Sequence, residues 1–212
     1  MNITVFGASG GIGGEVVRQA AKAGHRVTAV VRVSSPYQAD DPSVTLIRVP
    51  GLSDAPALVA AVTGADAVIS AVGPRGPRAV TVASTSTRGI LGALELTGTQ
   101  RFLAVSAVPV GPVPPGESFV NRRIALPLIS RLLRGIYGDL AVMEHDIMAS
   151  GTQWTIVRPP RLSSRPYTGK YRLAIGSNVP RGRTIGRADV AAAMLSIVDD
   201  PSTIKQPVGV AL

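Results

Sequence analysis

Apolar runs and helix-like stretches alternate from the first residues of the chain. Residues 3–6 form a short apolar run, residues 14–23 have a helical pattern that Gly24 ends, and residues 27–31 form a second apolar run. Short apolar runs bounded by turn signals are typical of buried strands. The pattern therefore predicts a strand, a glycine-rich loop, a helix, a turn and a second strand, which together make a βαβ unit.

The same alternation continues to the end of the chain and predicts five more strands and four more helices. The strands are at residues 44–49, 66–72, 102–106, 154–157 and 208–211, and the helices at 53–62, 79–97, 139–150 and from 186 or 187 to 198. We interpret Asp139 as the N-cap of its helix, and Glu144 as part of a solvated helix face. Near-continuous apolar strands separated by helices favour an α/β fold with a doubly wound, mainly parallel sheet, the Rossmann fold. A single domain over residues 1–212 is expected.

Two stretches depart from the alternation. Residues 108–137 begin with several prolines and glycines and continue as a basic, apolar segment, and such a length exceeds an ordinary connection. We interpret this insertion as a lid over the site or a subunit contact, with a segment lying on a membrane surface as the alternative. Residues 161–183 are expected to form a small C-terminal lobe on the substrate side, with a short strand at 170–175.

Composition and charge exclude several kinds of site. The chain has no cysteine, so disulfides, thiolate metal sites and thiol nucleophiles are absent, and its two histidines do not indicate a zinc site. No bound metal is expected. The net charge of +9 attracts anions such as phosphorylated cofactors. Scattered arginines and an aromatic content of only 4% disfavour nucleic-acid binding.

The hydropathy of the chain is that of a protein without a membrane span. No uninterrupted apolar run approaches the roughly 20 residues that a span requires. The first residues enter a strand directly and lack a signal-peptide pattern. We therefore expect a cytoplasmic protein, either a monomer or a homodimer, that acts on a small molecule.

The glycine-rich stretch between the first strand and helix has the spacing Gly-x-x-Gly-x-x-Gly. Gly7 allows a sharp turn, Gly10 allows the backbone to approach a pyrophosphate, and Gly13 allows close packing of the helix. Free N–H groups and the positive end of the helix dipole favour phosphate oxygens. A tight turn without a ligand is the alternative. The predicted cofactor loop comprises Gly7, Ala8, Ser9, Gly10, Gly11, Ile12 and Gly13.

The residue that ends the second strand indicates which dinucleotide is bound. NAD-preferring sites usually have an acidic residue here to hold the ribose 2′-hydroxyl, but this chain has Arg32. A guanidinium fork suits a 2′-phosphate, and Ser34 supplies a hydroxyl nearby. We predict NADP(H) as the cofactor. The alternative is a solvated arginine at a strand end.

Doubly wound sheets bind ligands beyond the carboxyl ends of their strands, and several residues are selected by that rule. Gly73 would allow close approach of the cofactor, and Ser106 would orient the nicotinamide or the substrate as the candidate catalytic residue. Pro159 would hold the backbone beside the nicotinamide, while Pro160 and Arg161 would face the substrate. Ordinary strand-end roles for Gly73 and Ser106, and a solvated Arg161, are the alternatives.

One familiar catalytic pair is missing. Short-chain dehydrogenases commonly use Tyr-x-x-x-Lys, in which the lysine lowers the pKa of the tyrosine so that it can act as an acid. Four residues after Tyr137 stands Ala141, so Tyr137 is not expected to be the catalytic acid. The absence of the Tyr-x-x-x-Lys pair disfavours a sugar-nucleotide epimerase. A reductase and a non-catalytic NADP(H)-sensing regulatory protein that acts through a protein partner both stay open.

Seven short motifs occur in order over nearly the whole chain. They are GASGGIG at residues 7–13, VVR at 30–32, GADAVI at 64–69, VSA at 105–107, ASGTQWTIVRPP at 149–160, TGKY at 168–171 and RADVA at 187–191. With these motifs the chain resembles the atypical short-chain dehydrogenase/reductases, specifically the small NAD(P)H-binding, NmrA-like proteins and the biliverdin-IXβ (flavin) reductases.

The resemblance implies an NADPH-dependent oxidoreductase that transfers hydride to a planar acceptor such as a flavin, a quinone or a tetrapyrrole, with little acid or base chemistry from the protein. The strand-five serine of the family corresponds to Ser106, and its 2′-phosphate arginine to Arg32. Two positions depart from the family pattern. Pro50-Gly51 stands where a Gly-Asp pair is usual, and Arg161 stands where the flavin reductases have a histidine.

Overall fold

The computed structural model describes residues 1–74, 81–112 and 134–212. The strands in this part of the chain are β1 (Asn2–Phe6), β2 (Arg26–Arg32), β3 (Thr45–Val49), β4 (Ala67–Ser70), β5 (Arg101–Val105), β6 (Gln153–Arg158), β7 (Arg161–Ser163), β8 (Arg172–Ile175), β9 (Thr184–Gly186) and β10 (Gln206–Ala211). The helices are α1 (Gly11–Lys22), α2 (Val59–Val62), α3 (Val82–Thr97), α4 (Arg134–Ala149) and α5 (Arg187–Ser196).

Eight strands form one sheet in the order β3-β2-β1-β4-β5-β6-β10-β8. Every neighbouring pair is parallel except β10 and β8, which are antiparallel. The chain moves outward from β1 to β2 and β3, and then returns to the other side of β1 with β4. The switch point of the topology therefore lies between β1 and β4, and the predicted doubly wound Rossmann sheet is confirmed.

Helices cover both faces of the sheet, because successive strand residues point to opposite sides. Val5 of β1 belongs to the core beneath α1 and α5, whereas its neighbour Phe6 belongs to the core beneath α2, α3 and α4. Both side chains are fully buried. The arrangement explains why the strands have near-continuous apolar sequences.

Several helix boundaries differ from the sequence predictions. Helix α4 begins at Arg134 rather than at residue 139, and α5 ends at Ser196 rather than at residue 198. Helix α1 begins at Gly11 rather than at residue 14, because the N–H of Gly14 donates to the carbonyl of Gly10 at 2.8 Å and closes the first helical turn. The stretch predicted as one helix at 53–62 is a 3₁₀ turn over Pro56–Leu58 followed by α2. The predicted helix start at residue 79 lies outside the described residues.

Asp139 caps a different helix from the one in which it lies. It is buried within α4, and its carboxylate accepts the N–H of Ala83 at 2.8 Å and that of Ser84 at 3.1 Å, both in the first turn of α3. Thr81, the N-cap residue of α3, makes no side-chain cap of its own. The prediction that Asp139 caps its own helix is wrong, because the free N–H groups that it satisfies belong to a neighbour.

The two irregular stretches of the sequence are described to different extents. Residues 113–133 lie outside the described residues, so the interpretation of the 108–137 insertion as a lid or contact stays a prediction. Its last residues, from Arg134, are the start of α4. Within 161–183, β7 pairs with β9 in a separate two-stranded sheet. The expected strand at 170–175 is β8, which joins the edge of the main sheet. Whether this stretch serves the substrate stays a prediction.

The amino edge of the sheet is closed by a buried arginine. Arg101, at the start of β5, is only 7% exposed, and burial lowers the pKa of its guanidinium, while Asp200 and Asp199 raise it. Its five N–H donors are satisfied by neutral acceptors, which are the carbonyls of Val198, Ile197 and Gln153 and the hydroxyls of Thr155 and Thr203. Near the carboxyl edge, by contrast, Ser106 Oγ and Asn178 Oδ1 are buried without a hydrogen-bond partner among the described residues.

No helix in residues 1–74, 81–112 and 134–212 is long and apolar enough to cross a membrane.

Candidate functional site

The glycine loop packs closely against the backbone that follows β4, at the switch point of the sheet. Gly7 has a φ of +79°, and a Cβ placed on it would lie 2.7 Å from the carbonyl oxygen of Ala71, just beyond β4. A Cβ on Gly13 would overlap the carbonyl oxygen of Gly7. Any larger residue at either position would therefore displace backbone, which explains both glycines without reference to a ligand.

The amino end of α1 has no internal group to balance its positive charge. Its N-cap, Gly10, has no side chain, and the first turn has no acidic residue. The N–H groups of Gly11, Ile12 and Gly13 occupy the positions that have no intrahelical acceptor. With the helix dipole added, this end suits an anion, and a pyrophosphate fits it. Ala8 and Ile12 are buried beneath the loop and support it.

Arg32 and Ser34 lie exposed at the end of β2. The chain turns there, because the N–H of Ser35 donates to the carbonyl of Arg32 at 2.8 Å. Arg48 of β3 holds the following loop by donating to the carbonyls of Ser35 at 2.7 Å and Tyr37 at 2.9 Å. Arg48 is thus engaged with backbone, whereas Arg32 forms no ion pair with any residue that the structure describes.

Gly73 follows β4 on the same edge and is exposed. A Cβ on this residue would meet no described atom within 4 Å, so the fold itself does not require glycine here. Its role in cofactor binding stays a prediction.

Ser106 follows β5 and is 5% exposed. Its N–H donates to the carbonyl of Val157 at 2.8 Å, but its Oγ has no hydrogen-bond partner among the described residues. Leaving a buried hydroxyl unpaired costs about 1–3 kcal/mol. Pro159, which follows β6, is buried, and its carbonyl accepts the N–H of Val108 at 3.1 Å. Pro160 is half-buried, and Arg161, the first residue of β7, is exposed.

A buried ion pair lies beside the residues that follow β6. The guanidinium of Arg158, the last residue of β6, donates from Nε to Oε1 of Glu144 at 3.0 Å and from Nη2 to Oε2. Both side chains are at least nine-tenths buried. A Cβ on Gly111 would overlap the same guanidinium. The prediction that Glu144 lies on a solvated helix face is wrong, because β6 and the 108–112 segment cover that face of α4.

Asn178 is a buried polar residue that the sequence did not predict as part of the site. It is 1% exposed, and its amide nitrogen donates to the carbonyls of Val108 at 3.1 Å and Pro112 at 3.0 Å. Its Oδ1 has no partner in the described part of the chain. No local motif marks this residue, since both of its acceptors lie far away in sequence.

The sheet order aligns the predicted residues along one edge. Arg32 ends β2, the glycine loop follows β1, Gly73 follows β4, Ser106 follows β5 and Pro159 follows β6. These five strands are consecutive neighbours. At about 4.8 Å per strand, the row spans roughly 19 Å. Such a row suits a long ligand that crosses several strands.

A comparison with models of protein families identifies the family of this chain. A family model described as NAD(P)H-binding matches residues 7–201. The chain belongs to this NAD(P)H-binding family. The match includes the glycine loop, Arg32, Ser106 and the Arg187 motif, and it confirms the family that the sequence motifs indicated.

Similar proteins share the fold over nearly the whole chain. An uncharacterized chloroplastic protein of Arabidopsis thaliana is 29% identical over 219 residues, covering 96% of this chain and 74% of its own. A candidate NADH-flavin reductase from Streptococcus pneumoniae is 24% identical, with a TM-score of 0.80 and 100% and 99% coverage of the two chains. A short-chain dehydrogenase/reductase from Veillonella parvula, in complex with NADP, is 20% identical, with a TM-score of 0.80 and coverage of 100% and 94%. At these identities the two structures show the fold alone.

Tyr137 lies on α4 and packs against the core beneath α3 and α4. Burial raises the pKa of its phenol. A raised pKa keeps the tyrosine neutral, and Ala141, one helical turn later, provides no cation that would lower it. Neither burial nor the residue one turn later therefore favours the ionised form of Tyr137.

Proposed function

We propose that the protein is an NADPH-dependent oxidoreductase that reduces a small planar acceptor such as a flavin, a quinone or a tetrapyrrole. The family match supports dinucleotide binding and an oxidoreductase-like fold. The preference for NADPH and the class of acceptor are our inferences from the site. A cytoplasmic location and a monomeric or homodimeric state stay predictions from the sequence.

Each part of the cofactor has a matching group along the carboxyl edge. In this proposal the N–H groups at the start of α1 bind the pyrophosphate, and Arg32 with Ser34 binds the 2′-phosphate. The backbone at Gly73 passes beside the ribose, and Pro159 supports the nicotinamide. Arg32 suits the 2′-phosphate because no described carboxylate forms an ion pair with it and it lies two strands from Gly73.

The observation that carries the proposal is the unpartnered hydroxyl of Ser106. A buried Oγ at the end of β5, without a partner in the part of the chain that the structure describes, is placed to bond a polar group of a ligand. Ser106 would hold the nicotinamide carboxamide or a carbonyl of the acceptor. When bound, reduced nicotinamide supplies a hydride, and the protein contributes orientation and exclusion of water.

The charge of the acceptor side favours an anionic acceptor. Residues 147–188 contain no aspartate or glutamate. The exposed cations of this stretch are Arg161, Arg165, Lys170, Arg172, Arg181 and Arg183. One-sided charge of this kind attracts anions and raises their local concentration. We therefore propose that FMN is reduced with a higher kcat/KM than riboflavin, which lacks the phosphate.

The activity can be tested with purified protein, NADPH and a panel of FMN, riboflavin, quinones and tetrapyrroles, by following loss of the reduced nicotinamide. Ser106→Ala should lower kcat by about tenfold or more, from loss of one hydrogen bond to a reacting group, and should not lower the stability of the protein. Tight NADPH binding without oxidation by any acceptor would overturn the reductase.

The choice between NADPH and NADH can be tested with Arg32→Asp. Loss of a charge-assisted bond to the 2′-phosphate should weaken NADPH about 10- to 100-fold and NADH much less. Arg26→Asp is the matched control, because Arg26 lies at the other end of β2 and bonds Asn2 Oδ1 at 2.8 Å. Equal losses for the two cofactors with Arg32→Asp would refute its assignment.

A second candidate is a non-catalytic NADP(H)-sensing protein that acts through a protein partner. The observation in its favour is the absence of a lysine one turn after the buried Tyr137, since Ala141 stands there. This candidate predicts tight NADPH binding, no turnover with any acceptor, and a change in protease protection that differs between NADPH and NADP⁺. Turnover with any acceptor in the panel decides against it.

A further inference from the structure

Arg187 lies across the amino end of α1, although it is distant from it in sequence. It is the first residue of α5 and is half-buried. A Cβ placed on Gly11 would lie 2.5 Å from Cδ of Arg187 and 3.0 Å from its Nε. The arginine side chain therefore occupies the space directly above the first residue of α1. A side chain at Gly11 could be accommodated only if the side chain of Arg187 moved.

The position of Arg187 is fixed by its surroundings. Gln19 of α1 donates from Nε2 to the carbonyl of Ala188 at 2.9 Å, which ties the first turn of α5 to α1. The buried Asp189 accepts the N–H groups of Thr168 at 2.9 Å and Gly169 at 3.0 Å, which ties the preceding loop to the same turn. This first turn is thus held on two sides, and the arginine projects from it toward the glycine loop.

Among the described residues, the charge of Arg187 is not balanced by a carboxylate. Its Nη1 donates to the hydroxyl of Ser164 at 3.0 Å, which is a neutral partner. No ion pair joins it to a carboxylate in the described part of the chain. A cation at the positive end of a helix is unfavourable, and the side chain of Arg187 lies at the start of α1, whose first turn has no acidic residue. An anion bound there would remove this penalty, whereas the first turn of α5 already contains Asp189.

We propose that Arg187 binds the pyrophosphate of the dinucleotide together with the N–H groups at the start of α1. This inference rests on the cofactor site described under Proposed function. It assigns a different task from that of Arg32, because the pyrophosphate is common to NADPH and NADH whereas the 2′-phosphate is not. Arginine suits phosphate oxygens because its planar donors match them in pairs.

The primary test measures binding of NADPH and of NADH by calorimetry, without turnover. Arg187→Met keeps the aliphatic stem that packs on Gly11 and removes the charge. It should weaken both cofactors by the same factor, about 10- to 100-fold, and Arg187→Lys should recover part of the loss. Arg26→Met, which removes one positive charge at the opposite edge of the sheet, should leave both affinities unchanged.

A second test uses the contact with Gly11. Gly11→Ala should weaken binding because its methyl group displaces the arginine side chain. In the Arg187→Met background the same change should cost less, so the two effects should not add. Thermal unfolding without cofactor serves to show that each variant is folded.

The outcomes separate this inference from the wider proposal. Failure of the unaltered protein to bind NADPH and NADH would overturn the proposed cofactor site itself. Normal binding by Arg187→Met, or additive losses with Gly11→Ala, would overturn the role of Arg187 alone. A loss confined to NADPH would place Arg187 at the 2′-phosphate and also contradict the inference.

Discussion

Glu144→Gln should destabilise the protein strongly, although the two side chains have the same shape. The change removes the negative charge that balances Arg158 and leaves one carbonyl oxygen where two carboxylate oxygens accept from Nε and Nη2. The side chains of Arg158 and Glu144 are only 7% and 3% exposed, so water cannot take the place of the lost partner. An uncompensated cation would remain inside the protein.

The size of the effect follows from burial. Removing one member of a buried ion pair typically costs about 3–5 kcal/mol, whereas replacing both by apolar residues is often neutral. We expect about 3 kcal/mol for Glu144→Gln, because the glutamine oxygen still accepts one bond. Glu144→Leu combined with Arg158→Met should cost much less than the sum of the single changes, since no charge is left unpaired.

Helix α4 itself provides a matched control. Asp146 accepts from Nε of Arg88 at 2.8 Å, but the side chains are 20% and 59% exposed. An ion pair of this kind contributes about 0–1 kcal/mol. Asp146→Asn therefore removes a charge two residues from Glu144 without leaving a buried cation.

Urea unfolding, followed by circular dichroism and extrapolated to water, measures each free energy of unfolding. The reasoning would be refuted if Glu144→Gln cost no more than Asp146→Asn, or if the losses at Glu144 and Arg158 were additive. Either result would mean that the pair is solvated rather than buried.

Two other predictions concern positions where the backbone is constrained. Gly13→Ala should destabilise the protein by about 1–3 kcal/mol and also weaken dinucleotide binding, because its methyl group would overlap the carbonyl of Gly7 and push α1 from the loop. Asp139→Asn should cost about 1–2 kcal/mol in urea unfolding, because each carboxylate oxygen now accepts one N–H of α3 and asparagine replaces one of these oxygens with an NH₂ donor.

Each of these has its own control. Gly138 lies in α4 and has no positive φ, and a Cβ on it would meet no described atom within 4 Å, so Gly138→Ala should be neutral or stabilising. A similar loss at both glycines would contradict the argument from overlap. For Asp139, an unchanged free energy of unfolding in the asparagine variant would show that α3 does not depend on this cap.

Much of the fold could be predicted because its signals are local. The apolar run at residues 3–6, the glycines that follow it and the second apolar run lie within one βαβ unit, where periodicity and turn chemistry act between near neighbours. The same local rules placed Arg32 at a strand end and Ser106 at another. The topology rule for parallel sheets then brought these ends to one edge.

What the tertiary structure decided is the partner of each polar side chain. Asp139 looked like the cap of its own helix, yet it caps α3, which lies 56 residues earlier in the chain. The sequence indicated a solvated position for Glu144, but in the structure its side chain is buried against Arg158 of β6. The sequence predicted that Ser106 lies at a strand end, but only the packing around β5 and β6 shows that its hydroxyl is buried and has no partner among the described residues.

The glycine loop and Arg187 show the same difference between local signals and long-range contacts. The sequence by itself indicated a tight turn at Gly7, Gly10 and Gly13 before the first helix, because backbone conformation depends on neighbouring residues. It did not indicate that the side chain of Arg187 lies over Gly11. That contact forms only because α5 packs against α1. Contacts between distant segments depend on the whole packed core, and a local pattern does not contain them.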